Sequence, residues 1–197
     1  MRKNQRKKEH AVNAVSIRNA TPEDAEAIAE IYSYYVENTA ITFEYTSPDA
    51  DEIRARMANT MRRYPYLVAE SGGTVLGYAY AGPFHPRAAY AWSAEVSIYI
   101  SRNARHGGLG RKLYEALESK LREMGILNIY ACVAYPKADD EYLTRNSADF
   151  HEHLGFTPVG RFTSCAYKFG RWYDMLWMEK TADAYPDAPA EVKKYIY

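Results

Sequence analysis

The stretch Arg105-His106-Gly107-Gly108-Leu109-Gly110 has the residue types of an anion seat. Its glycines let a backbone approach an anion with no Cβ in the way. The amphipathic pattern over residues 111–124 supplies a helix start just after it, with unpaired N–H groups and the positive end of a dipole. A pyrophosphate suits such a place. The string is neither of two familiar phosphate loops. G-x-x-x-x-G-K-[ST] occurs nowhere, and counting G-x-G-x-x-G from Gly108 and Gly110 puts Leu113 where the third glycine belongs. What remains, R-x-x-G-x-G, is also what an ordinary glycine-rich turn before a helix looks like.

Two side chains are candidate proton carriers. Glu95 interrupts the apolar run Ala94-Glu95-Val96-Ser97-Ile98. A carboxylate on a half-buried strand face has its pKa raised and can act as a base, directly or through water; on pattern alone an outward-facing strand residue is the plainer reading. His151 lies off the stripe that Phe150 and Leu154 mark on one helix, so it can border a cleft and titrate near neutral pH. A lone helical histidine is more often inert. His153, two residues on, faces elsewhere and is read as structural.

The elements that must position these groups follow from periodicity. Val15-Ser16-Ile17-Arg18 alternates as a short strand. Thr21-Pro22-Glu23-Asp24 reads as a helix start, with Thr21 as cap and Asp24 completing a capping box. Ile28, Ile31, Tyr32 and Tyr35 then form one apolar face to about Asn38. Ser47-Pro48 repeats the cap-then-proline signal for a second helix to about Tyr64, with Ile53, Met57 and Met61 as its stripe. Two strands joined by Gly72-Gly73 make a hairpin, and Gly82-Pro83 stops the second. A loop over residues 84–91 leads into a central strand, residues 92–100. The glycine turn and its helix end at Gly125. Residues 126–135 read as a buried strand, and a helical pattern runs to Leu154. Residues 156–159 and 162–167 look like strand, Gly170-Arg171 a turn, and residues 172–179 a last strand. The order is β-α-α-β-β-β-α-β-α-β-β, an α/β or α+β mixed sheet in one domain.

Composition narrows the class. The chain has 197 residues, 47% of them hydrophobic, enough for one substantial core. Twenty-five basic residues balance 25 acidic ones, so nothing draws the protein as a whole toward nucleic acid or an anionic membrane. No apolar run approaches the roughly 18 residues of a membrane span. Cys132 and Cys165 stand in strand-like runs and read as reduced core residues, with no metal spacing. A reduced cytoplasmic enzyme without a metal is expected. Nineteen tyrosines suggest pockets or interfaces, or simply half-buried strands. The domain is expected over residues 14–180, between a flexible basic tail (1–13) and a C-terminal extension (181–197) that is one docked turn or disordered.

The glycine turn, placed between the fourth strand and the third helix, resembles the acetyl-CoA loop of the GNAT N-acetyltransferase superfamily, and so does the order of elements. Within it, Gly82-Pro83-Phe84-His85-Pro86-Arg87-Ala88-Ala89-Tyr90-Ala91-Trp92-Ser93-Ala94-Glu95, Phe150-His151-Glu152-His153-Leu154-Gly155-Phe156 and Tyr167-Lys168-Phe169-Gly170-Arg171-Trp172-Tyr173-Asp174 are similar to segments of phosphinothricin N-acetyltransferases. Bacterial methionine sulfoximine N-acetyltransferases carry similar segments. The resemblance spans about residues 15–180. It implies a mostly antiparallel sheet splayed between strands 4 and 5, with helices on both faces. It implies acetyl-CoA in the splay, its pantetheine along Ile98, Tyr99 and Ile100 as an added strand. Its pyrophosphate would lie on Arg105, His106, Gly107, Gly108, Leu109 and Gly110. Glu95 matches a glutamate assigned catalytic duty, and His151 stands where many relatives carry a tyrosine acting as acid. Thr144 occupies the place of a usual asparagine seven residues before His151, so the cofactor contacts there are expected from Asn146 and Ser147. Arg87 is expected to clasp an acceptor carboxylate, with Tyr90 and Phe43 walling the pocket. Lys168, Arg171, Trp172 and Asp174 match a branch signature, structural, at the mouth of the site or at a dimer contact.

The expected function is acetyl transfer to the primary amine of a small amino-acid-like acceptor, in a homodimer without nucleic-acid or membrane partners. A protein N-terminal or lysine acetyltransferase is the alternative, mildly favoured by the basic tail. A non-catalytic CoA-binding regulatory module is a third reading; it would need neither Glu95 nor His151.

Overall fold

The computed structural model describes residues 14–104, 107–182 and 184–197. The basic stretch 1–13, and Arg105 and His106 of the glycine turn, lie outside them. The elements are β1 (Ser16–Asn19), α1 (Ala25–Asn38), α2 (Ala50–Met61), β2 (Tyr66–Ser71), β3 (Thr74–Pro83), β4 (Ser93–Ile100), α3 (Leu109–Met124), β5 (Asn128–Tyr135), α4 (Asn146–His153), β6 (Thr157–Lys168) and β7 (Arg171–Thr181). This is the expected order. Seven strands form one sheet, β1-β2-β3-β4-β5-β7-β6, antiparallel except where β4 meets β5.

The β4–β5 junction organises the molecule. The two strands pair in parallel only from Ser93 to Glu95, against Asn128 to Tyr130. Beyond that β4 continues beside β3 to Ile100, and β5 beside β7 to Tyr135. The sheet therefore opens into a splay, and Glu95 is its last paired residue on β4. On one face α3 buries Leu113, Leu117 and Leu121 at helical spacing against Val96, Ile129, Val133 and Met178; each such burial is worth roughly 1.5–3 kcal/mol. On the other face Ile28, Tyr32, Tyr35 and Met57 of α1 and α2 cover Tyr66, Val68 and Tyr78. Much of the tyrosine excess is here: the buried Tyr66 stacks on the half-buried Tyr80 at 4.9 Å and on the buried Tyr78 at 5.9 Å.

Several boundaries differ from expectation for identifiable reasons. The Thr21 capping box forms, with the Thr21 N–H donating to the Asp24 carboxylate at 2.8 Å, but the first turn, Pro22–Asp24, is 3₁₀. The second helix is capped by Asp49, not by Ser47. Asp49 is extended and accepts from the Glu52 N–H at 2.8 Å, leaving Pro48 outside the helix. That helix closes at Met61 rather than Tyr64. α3 starts at Leu109, two residues before the expected Arg111, because Gly108 at φ 72° turns directly into it. The two strand runs at 156–159 and 162–167 fuse into β6, with register shifts between Pro158/Gly160 and Phe162/Ala166. Inside the second shift Ser164 adopts φ 49° and donates its N–H to the fully buried Asp174 carboxylate at 2.6 Å.

The cysteines are not core residues. Both are exposed. Cys132 lies on β5 past the point where β4 leaves it, and Cys165 on β6, an edge strand of the sheet among the described residues. The C-terminal residues are extended and docked rather than forming a turn. Trp92 Nε1 donates to the Ala190 carbonyl at 2.8 Å, the Lys193 N–H to Met124 at 2.9 Å, and the Tyr195 N–H to Arg63 at 3.0 Å, while Val192 is buried in the α3 core. Among the described residues no helix is long and apolar enough to cross a membrane.

Candidate active site

The splay is a cleft through the sheet. Ser97, Tyr99 and Cys132 line it from the α1/α2 face, Val96, Ile98 and Val133 from the α3 face, and Ser147 and His151 from α4. Ile41, in the loop between α1 and α2, closes it from above. Strand alternation puts Glu95 on the same face as Ser97 and Tyr99, whereas His151 arrives from the α3/α4 side. Glu95 ends the pairing at the edge of the cleft, and the His151 imidazole lines the cleft from the opposite face.

Glu95 is half-buried. Burial pushes its carboxyl above the ordinary carboxylate range, and the charge of His85 partly opposes this. His151 is buried, at 5% exposure. Its Nδ1 lies 2.7 Å from the Ser147 carbonyl. A carbonyl only accepts, so Nδ1 carries the hydrogen. Nε2 then accepts from the Tyr114 hydroxyl at 2.8 Å. Burial lowers the pKa of this ring, against the pull of the Ser147 carbonyl, so it is neutral at pH 7. Tyr114 itself was missed by the sequence reading. It sits beside Leu113 on the buried stripe of α3 and looks like core; the available signal was that a buried tyrosine hydroxyl needs a partner. Burial first, and the Glu95 carboxylate second, hold its hydroxyl far above the ordinary tyrosine value. Although Cys132 is exposed as a residue, partial burial of its thiol pushes it up to about 12, with Glu95 and Cys165 adding to the effect.

A second cavity, about 480 Å³, continues from the cleft along Ile98 and Ile100 to Gly108, Leu109, Gly110 and Arg111 at the start of α3, and to Asn146, Ser147 and Phe150 of α4. Its volume is in the range of small-ligand sites. Gly107 and Gly108 both have positive φ, 86° and 72°, with open space where a Cβ would stand. Gly110 serves packing instead: a Cβ there would lie 3.0 Å from the Phe150 ring. The amides at the start of α3 and the adjacent Arg111 suit a pyrophosphate.

On β4, Val96, Ile98 and Ile100 direct their backbone groups to the edge β5 has left, and Tyr99 directs its own toward β3. The Ile100 edge is already engaged. The Tyr35 hydroxyl donates to its carbonyl at 2.6 Å and accepts from its N–H at 3.3 Å. The part of that edge beyond the last pair with β5 therefore lies at Ile98. Arg105 and His106 lie outside the described residues.

The acceptor-side candidates are less tightly gathered. Arg87 and Tyr90, with His85 and Pro86, surround a separate hollow of about 320 Å³. Phe84 anchors their loop by stacking on Tyr130 at 4.2 Å. His85 is the member of that hollow whose charge acts on Glu95. Phe43, in the same loop as Ile41, packs beside Ala40, Ala134, Leu143 and Tyr173. Asp174 grips Arg161 and Ser164 within the β6–β7 hairpin, and Trp172 is exposed. Among the described residues no group of three or more His, Cys, Asp and Glu converges as metal ligands do.

Comparison with known proteins agrees with this geometry. The family described as "Acetyltransferase (GNAT) domain" matches residues 17–177. The phosphinothricin N-acetyltransferase of Streptomyces viridochromogenes is 34% identical over 161 residues, 82% of this chain and 84% of that one. A crystal structure of a phosphinothricin acetyltransferase from Sinorhizobium meliloti in complex with AcCoA superposes with TM-score 0.81 at 32% identity, covering 90% of this chain and 94% of the other. A crystal structure of a ribosomal-protein-alanine N-acetyltransferase from Brucella melitensis gives TM-score 0.77 at 36% identity, over 84% and 99%. A strand pair that separates after Glu95, a glycine-started helix beside the gap and a family match across 17–177 lead to one conclusion: this chain belongs to the GNAT acetyltransferases and uses acetyl-CoA as its co-substrate.

Proposed function

We propose that the enzyme moves the acetyl group of acetyl-CoA to the primary amine of a small amino-acid-like acceptor, of the phosphinothricin or methionine sulfoximine type. The observation that carries this is Glu95, a half-buried carboxylate of raised pKa at the last paired position before the splay, beside the hollow of His85, Arg87 and Tyr90. Acyl transfer needs the acceptor ammonium to lose a proton before its lone pair can attack. Glu95 is that base. Arg87 pairs with the acceptor carboxylate in fork geometry, Tyr90 walls the pocket, and Phe43 supports it from below.

The co-substrate lies along the open edge of β4 at Ile98, with the engaged Ile100 and the inward-turned Tyr99 at its end. Its pyrophosphate rests on Gly107, Gly108, Leu109 and Gly110, with Arg105 and His106 beside it and Asn146 and Ser147 opposite. His151 is the second proton carrier, serving the departing thiolate. Both its nitrogens are already in hydrogen bonds, which favours Glu95 over His151 as base. Two free thiols suit a reducing cytoplasm, and the exposed Val159, Phe162 and Tyr167 of β6, with Trp172 beside them at the start of β7, suit a homodimer.

The likeness to a ribosomal-protein-alanine acetyltransferase keeps a second reading, acetylation of a protein N-terminus. Thiol release from acetyl-CoA across amino acids, methionine sulfoximine, phosphinothricin and short alanine-ended peptides separates the two. Turnover of a small amino acid or analogue, lost in Arg87→Ala through KM, is the expected result. Turnover of peptide or protein alone replaces the first reading with the second.

A further inference from the structure

The loop between α1 and α2 closes the cleft through Ile41, yet residues 39–45 carry neither helix nor strand. The Tyr32 hydroxyl of α1 holds Thr42 and Glu44 at 2.7 and 2.9 Å, and the end of β6 with the turn that follows it holds the stretch around Ile41. Lys168 is 2% exposed, and its ammonium donates to the Thr39 carbonyl at 2.9 Å and to the Thr42 carbonyl at 2.8 Å. These two carbonyls bracket Ile41. Thr39 also ends α1, so the cation lies at the negative end of that helix dipole. The Tyr45 hydroxyl donates to the Tyr167 carbonyl, one residue before Lys168.

The same turn reaches the loop from a second side. Phe169 takes φ 50°, a left-handed conformation that a phenylalanine adopts at a cost. That conformation stacks its ring on Tyr142 at 4.2 Å. The Tyr142 carbonyl in turn accepts the Ala40 N–H at 3.0 Å. Arg171, on the far side of the turn, lies over Tyr142 and bridges to Asp140 and Glu141.

Taking an ammonium out of water is expensive, and a methionine would fill the same space without that cost. A lysine that spends its donors on two backbone carbonyls does something packing alone does not: it sets the position of the Ala40-Ile41 segment between them. We propose that Lys168 is a positioning residue for acetyl transfer, holding the 39–42 backbone so that Ile41 forms the wall of the cleft opposite Ser97, Ser147 and His151. The inference rests on the acetyltransferase reading but not on which amine is the acceptor.

A double-mutant cycle tests it, run on whichever amine turns over, so that failure of the small-acceptor reading leaves the cycle intact. Lys168→Met and Ile41→Ala should each lower kcat/KM for the acceptor about 10-fold, and the double variant should be within about 2-fold of either, because both remove one wall. Lys168→Arg, which can still donate to both carbonyls, should recover most of the loss. Hydrogen exchange at the amides of residues 40–44 should quicken in Lys168→Met and not in Ile41→Ala. Effects that multiply to about 100-fold would overturn the proposal, since independent residues add in free energy. So would a Lys168→Met enzyme that melts earlier but keeps wild-type kcat and KM, the mark of a merely structural lysine. Lys168→Gln, with a neutral donor, carries the same cycle if the methionine variant accumulates poorly.

Discussion

The Tyr114 hydroxyl donates to Nε2 of His151 at 2.8 Å, while Nδ1 of the same ring is held 2.7 Å from the Ser147 carbonyl. The imidazole is fixed in one tautomer and has no idle nitrogen. Proton transfer at His151 must pass through a turn of the Tyr114 hydroxyl, whereas Glu95 needs no such rearrangement. Replacing Tyr114 by Phe leaves Nε2 buried without a donor and should cost about 1–3 kcal/mol of stability. Urea denaturation of the folded variant measures it.

Glu95→Gln should separate catalysis from stability. With Glu95 as base, turnover falls about 10²–10⁴-fold while acetyl-CoA still binds. The folded pKa of Glu95 is raised, so its ionised form is disfavoured by folding. Its stabilising influence is complete below the unfolded carboxyl value and is lost as pH rises through the folded one. At pH 7 the glutamine variant should therefore melt higher than the parent. Thiol-release kinetics and a melting curve on the same sample check both halves, and unchanged turnover removes Glu95 from the role.

His151 makes stability depend on pH in the opposite sense. Its folded pKa is lowered below the ordinary 6.5. As pH falls from that value toward the folded pKa, the unfolded chain takes up a proton that the native protein refuses. The contribution is thus complete above about 6.5 and is lost below it. His151→Asn should flatten the slope of stability against pH in that window. Denaturation midpoints taken above and below it are the measurement.

At the start of α3, Gly108→Ala forces a Cβ into φ 72°. The left-handed conformation costs about 1–2 kcal/mol for an L-residue. The wider consequence should be a KM for acetyl-CoA raised several-fold, with the acceptor KM unchanged. Calorimetric titration with acetyl-CoA tests it; an unchanged affinity removes the anion seat from this turn.

The docked C-terminal residues should matter for stability and not for chemistry. Val192 is buried against the α3 core and Trp92 donates to Ala190. Ending the chain after Ala182 should cost at least about 2 kcal/mol, the burial of one valine alone being worth roughly that. Chemical denaturation of the shortened chain reads the loss, while kcat and both KM values of the folded fraction should stay as they were.

Much of this protein is legible along the chain because the signals are local. Apolar spacing marked α1, α3 and the strands; Gly72-Gly73 and Gly125 marked a turn and a helix end; Gly107 and Gly108 marked the left-handed entry to α3. Each depends on residues a few positions apart, where backbone geometry alone relates them. Tertiary structure decided what residues far apart in sequence do together. Tyr114 reaches His151 across 37 positions and Lys168 reaches Thr39 across 129. No periodicity records such pairs, because hydrogen bonds between elements depend on how the sheet twists and where it opens. The same holds for Cys132, apolar by its neighbours yet exposed because β4 leaves β5 after Glu95. The residue types and the co-substrate could be read from the sequence. That Glu95 ends the β4–β5 pairing where the cleft lined by His151 begins, and which side chains hold the walls of that cleft, came only from two faces of the sheet meeting at one gap.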